Sequence, residues 1–134
     1  MEQQKKKLVL NREDTVKYHR QMWQVMYELC LQRKIPQKEE AIATIGMSEY
    51  HIGENNCFPC EYAMQQWCAN KNNKICYYCP LLWGTSVSVT CIDNGRPYDR
   101  FMHLYTLATR NSLDDEGWEE LTNVCKQIAE LPER

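Results

Sequence analysis

At 134 residues, with 43% hydrophobic and 25% charged side chains, the chain has the size and composition of one folded domain, which excludes a disordered or membrane-embedded protein as the expectation. Eighteen acidic against sixteen basic residues give a formal charge of -2, whereas a protein that lives on a phosphate backbone relies on basic surface and counterion release. General nucleic-acid binding is therefore disfavoured, and a soluble cytoplasmic protein is expected. The N-terminus "MEQQKKKLVLNRED" carries a positive run with only Leu8, Val9 and Leu10 behind it, too short an apolar stretch for export. Residues 1-10, including Lys5, Lys6 and Lys7, read as a flexible, solvated tail.

From Asn11 to about Lys34, the residues Val16, Met22, Trp23, Met26, Leu29 and Cys30 recur at helical spacing, which predicts a long amphipathic helix capped by Asn11 or Asp14. Pro36 opens a second, shorter helix with Ala41, Ile42 and Ile45 as its stripe and Gly46 as its left-handed cap. Residues 11-46 thus form an N-terminal helical segment. "MSEYHIGENN" is turn-rich. After Cys60, "EYAMQQWCANK" predicts a helix that buries Cys60, Met64, Trp67 and Cys68. "TSVSVTCID" alternates with Val87, Val89 and Cys91 on one side, a short half-buried strand. Pro97 begins a helix that buries Phe101, Leu104, Leu107 and Ala108, and Ser112 or Asp114 starts the last helix, with Trp118, Leu121, Cys125, Ile128 and Leu131 inward. Residues 97-131 form the C-terminal helical segment. The expected fold is one domain over 1-134, mainly α (α+β at most), with four to five helices, one short hairpin or strand, and a small zinc-stapled cysteine-rich centre over 57-91.

The chemistry concentrates in that centre, where six of the eight cysteines fall between 57 and 91. Cys57, Cys60, Cys76 and Cys79 form C-x2-C-x15-C-x2-C, the spacing of a four-cysteine zinc site in which each pair grips the metal from a tight knuckle. Four thiolates leave no open position for water, so such a zinc is structural. Cys91 is the alternative ligand, Cys68 reads as a buried thiol, and His51 is the one histidine near enough to replace a cysteine. Cys30 and Cys125 fall on apolar stripes and read as core. "CFPC" before a helix also allows a redox reading, but disulfide oxidoreductases set such a motif in a βαβ unit and no strand is evident before Cys57. No paired acid and base, and no glycine-rich phosphate loop, marks an enzyme.

The segments "YHRQMW", "NNCFPCEYA" and "CYYCPLLWG", with the later Cys91, resemble a group of small cysteine-rich proteins of bacteriophage and bacterial genomes, over residues 18 to 98. The resemblance implies a zinc-binding accessory protein with no assigned activity, and a late cysteine shared by the group supports Cys91 as a ligand. The long spacer between the pairs and the extra Cys68 depart from that pattern and leave the ligand set open. A phage-like origin implies a host-directed protein-protein interaction in the host cytoplasm, in the form of an inhibitor of a host defence system. Tyr77, Tyr78 and Trp83 are the candidate partner-binding residues, since aromatic groups dominate binding hot spots, with packing around the metal as their other use. The alternative function is a zinc-ribbon-like nucleic-acid binder or transcription modulator, using Lys71, Lys74, Arg96 and Arg100.

Overall fold

The computed structural model describes residues 6–52, 56–70, 79–82 and 96–133. Among them the fold is mainly helical, with α1 (Arg12–Leu31), α2 (Lys38–Thr44), α3 (Phe58–Asn70), α4 (Pro97–Thr109) and α5 (Asp115–Ala129), plus two strands of two residues each, β1 (Lys6–Lys7) and β2 (Tyr50–His51). The stretch read as a strand over 86–91 lies outside the described residues.

Helix α1 is the axis of the packing. Asn11 caps it by accepting the Asp14 backbone N–H at 2.7 Å, and Glu13 and Asp14 place negative charge at the positive end of the helix dipole. Its buried residues, Thr15, Val16, His19, Met22, Trp23, Met26, Leu29 and Cys30, step by three and four along one stripe. That stripe packs against α5, α3 and α2. Helix α5 presents Leu121, Val124, Cys125 and Ile128, all fully buried, and Asp114 caps it by accepting the Gly117 N–H at 2.7 Å. Helix α4 carries Pro97 in its first turn and buries Phe101, Leu104 and Ala108. Leu107, expected inward, is 41% exposed, because the α4 face toward α5 is narrower than the hydrophobic run suggests.

Three helices end the same way. In α1 the N–H groups of Arg33 and Lys34 return to the carbonyls of Cys30 and Leu29; in α2 those of Gly46 and Met47 return to Ala43 and Ile42; in α4 those of Asn111 and Ser112 return to Ala108 and Leu107. These are Schellman closures, and each needs a left-handed residue at its pivot: Arg33, Gly46 and Asn111 have φ of 55°, 79° and 55°. Helix α2 starts at Lys38, so Pro36 precedes it instead of opening its first turn; its fixed φ and missing N–H suit the buried connection equally well.

Of the flexible tail expected for residues 1-10, residues 1–5 lie outside the described residues and residues 6–10 depart from it. From Lys6 onward it is tied down: β1 runs parallel to β2 with Lys6 opposite Tyr50, and Leu8 and Leu10 are buried. Gln65 of α3 acts as a surrogate strand, donating to the Leu8 carbonyl at 2.7 Å and accepting the Leu10 N–H at 3.2 Å. The tail reading missed this because leucines at alternate positions in so short a run gain their partners only from distant segments. At the other end, Leu81 bridges Glu133 antiparallel, and the Leu82 N–H donates to the Pro132 carbonyl at 2.9 Å.

Candidate metal centre

The first cysteine pair is built at the start of α3. Phe58 and Pro59 are buried, and Phe58 packs against Tyr18 of α1 with ring centroids 5.5 Å apart, which fixes the first turn in the core. Proline is tolerated there because its missing N–H is one that a helix start leaves without an intrahelical acceptor. Cys57 occupies the capping position. Its carbonyl accepts the Glu61 N–H at 3.0 Å, and its Sγ accepts the Cys60 N–H at 3.4 Å, the role an Asn or Ser oxygen plays in an ordinary cap. The cap holds the pair in a knuckle, with both cysteines half-buried. The hydrogen bond with the Cys60 side chain, and then burial, push the Cys57 thiol well above its ordinary value.

The helix that follows faces the core differently from the expectation. Phe58, Pro59 and Ala63 are buried, whereas Met64, placed inward by the periodicity of Cys60, Met64, Trp67 and Cys68, is 42% exposed. The anchoring residues Phe58 and Pro59 precede the stretch from which the stripe was read, and they rotate the buried face by about a residue. Cys60 therefore stands at the boundary of the core, where a ligand has room.

Cys79 is buried, and the chain just beyond it is clipped to the C-terminal segment through Leu81 and Leu82. The remaining ligand candidates Cys76 and Cys91, the Cys68 side chain, and the aromatic residues Tyr77, Tyr78 and Trp83 lie outside the described residues, as do Lys71 and Lys74. Among the described residues, no three Cys, His, Asp or Glu side chains converge into a group able to hold a metal ion. His51 is exposed in β2. Of the two described basic candidates for phosphate contact, Arg100 turns back to α5, toward Glu120 at 4.0 Å and Gln127 at 3.5 Å.

Two features of the surroundings were not foreseen. A strand absent from the sequence reading exists: β2, two residues long, is parallel to β1 across the α1 and α2 crossover and precedes the Cys57 knuckle, so the motif follows a miniature βαβ unit. The second is the depth at which His19 is buried. The residue is 1% exposed, and its Nε2 meets the Ile128 carbonyl at 2.9 Å, while Arg20 reaches the Leu131 carbonyl at 3.4 Å. These two α1 side chains serve carbonyls at the end of α5, where no Schellman closure forms. Burial lowers the His19 pKa from 6.5 to about 4, against the opposing pull of the Ile128 carbonyl, so the ring is neutral near pH 7 and its Nε2–H is the donor.

No helix among the described residues is long and apolar enough to cross a membrane. Compared with family models, curated proteins and solved structures, the chain matches none.

Proposed function

We propose that the chain is a zinc-stabilised binding protein of phage origin, acting through protein-protein contact on a host target as an inhibitor of a host defence system. A structural zinc, held by Cys57, Cys60, Cys76 and Cys79 with Cys91 as the alternative fourth ligand, keeps the centre in shape. The observation that carries the zinc is the Cys57 knuckle: a sulfur that caps a helix and accepts the Cys60 N–H is oriented before any metal arrives, and such N–H···S bonds stabilise thiolate charge. Zinc would supply the charge that draws both protons off, reversing the upward push on Cys57. Support for a protein partner over nucleic acid comes from the net acidity.

Native mass spectrometry of the reduced protein tests the metal, with about one zinc per chain expected. A metal-free folded chain ends the zinc reading. The partner is tested by capture from host lysate with and without nuclease: a stoichiometric protein that survives nuclease supports this reading, and recovery of nucleic acid alone transfers support to the transcription-modulating alternative. The miniature βαβ unit ahead of the motif favours one further reading, a thiol-disulfide exchange protein. Against it stand the two-residue length of both strands and the second C-x2-C pair, whose spacing ligation explains better. Turnover of a disulfide substrate that is lost in Cys60→Ser would establish it.

A further inference from the structure

Cys30 and Cys125, the two cysteines outside the 57–91 block, are 95 positions apart in sequence and meet in the core with their sulfurs 3.8 Å apart. Cys30 lies in the last turn of α1 and Cys125 in α5, and both are buried, at 2% and 0% exposure. They are not equivalent. An open cleft of about 490 Å3 lies between α1 and α5, with Tyr27, Arg33, Trp118 and Glu119 among its walls, and Cys30 is the cysteine that lines it. Cys125 does not line it. The hydrogen bond with Cys30, and then burial, push the Cys125 thiol upward, so Cys125 keeps its proton. One cysteine thus borders an open cleft while the sulfur of the other lies within contact distance of its own, the arrangement of an attacking and a resolving thiol.

We infer that Cys30 and Cys125 are an oxidisable dithiol, which a small peroxide entering the α1/α5 cleft converts to a disulfide joining the two helices. Cys30, as its thiolate, attacks one peroxide oxygen; the O–O bond breaks, Cys30 becomes a sulfenic acid, and the departing hydroxide takes up the proton that Cys30 released. The Cys125 sulfur then attacks the sulfenic sulfur, the S–O bond breaks, and water leaves carrying the Cys125 proton. Two electrons pass from the sulfurs to the peroxide. The sulfurs must close from 3.8 Å to the bond length of about 2 Å, a movement that side-chain torsions and a small helix shift supply. The cross-link closes a loop containing the whole 57–91 block, so it limits unfolding even when a metal is lost from that block.

The test treats the reduced full chain with hydrogen peroxide, blocks remaining thiols with N-ethylmaleimide and maps the non-reduced peptides. A peptide linking Cys30 to Cys125 is expected, two hydrogens lighter than its parts, with an unchanged far-ultraviolet spectrum and a higher thermal midpoint that dithiothreitol reverses. In Cys125→Ala, Cys30 should stop at the sulfenic acid and be trapped by dimedone; in Cys30→Ala, Cys125 should stay reduced. Should Cys125→Ala fail to fold, the peptide map and Cys30→Ala still decide. Folded protein in which peroxide leaves Cys30 and Cys125 unlinked overturns the proposal, as does equal oxidation of Cys125 in Cys30→Ala.

Discussion

Acidification should weaken this fold through His19, and the size of the effect follows from the structure. The folded pKa of about 4 lies below the ordinary 6.5, so the stabilising form is the neutral ring. Its contribution is fully present above about pH 6.5 and is lost as the pH falls through the window down to about pH 4, because the unfolded chain binds the proton first. The complete difference amounts to roughly 3 kcal/mol, of which about 2 kcal/mol is gone at pH 5. Against a total stability of about 5 to 15 kcal/mol this is a large fraction. Carboxylates also titrate in this range, so the measurement must be a difference. Urea unfolding of the wild type and of His19→Gln, which keeps an N–H donor for the Ile128 carbonyl but does not titrate, isolates the histidine. His19→Gln should be the less stable protein at about pH 7 and should lose roughly 2 kcal/mol less than the wild type on going to about pH 5. Parallel pH dependences would refute the argument, meaning that the ring has water or a compensating charge on protonation.

Three further outcomes follow from the packing. Gly46→Ala should cost about 1 kcal/mol in chemical denaturation, since φ is 79° there and a Cβ meets nothing within 4 Å, so the whole cost is conformational. Leu121→Ala should cost about 2 to 5 kcal/mol and Leu107→Ala less than about 0.5, because Leu121 is fully buried and Leu107 is 41% exposed; comparable losses in thermal unfolding would contradict the assigned faces of α4 and α5. Gln65→Ala should free the segment from Leu8 to Leu10, seen as faster amide exchange at Leu10, with a loss of about 1 to 2 kcal/mol. Unchanged protection at Leu10 would mean that the amide bridge is incidental.

Much of this fold is local enough to read along the chain. The stripes of α1 and α5, the caps at Asn11 and Asp114, the start of α4 at Pro97 and the left-handed stop at Gly46 are each set by residues within a few positions of one another, where side-chain period and backbone chemistry are dictated by neighbours. Even locally the reading has a limit: nothing about Arg33 announces a left-handed pivot, and it adopts that conformation because its N–H and that of Lys34 can then close α1. The candidate centre divides in the same way. Spacing marked Cys57 and Cys60 as a knuckle, but the buried Phe58 and Pro59 determine how that knuckle faces, through a contact with Tyr18 some forty residues earlier. The pairing of β1 with β2, the burial of His19 under the end of α5, and the meeting of Cys30 with Cys125 belong to tertiary structure alone. A helical period says which side of a helix is apolar, not which helix will cover it. Only the packing of α1 on α5 decides that two cysteines, each an unremarkable member of its own stripe, stand within contact of one another.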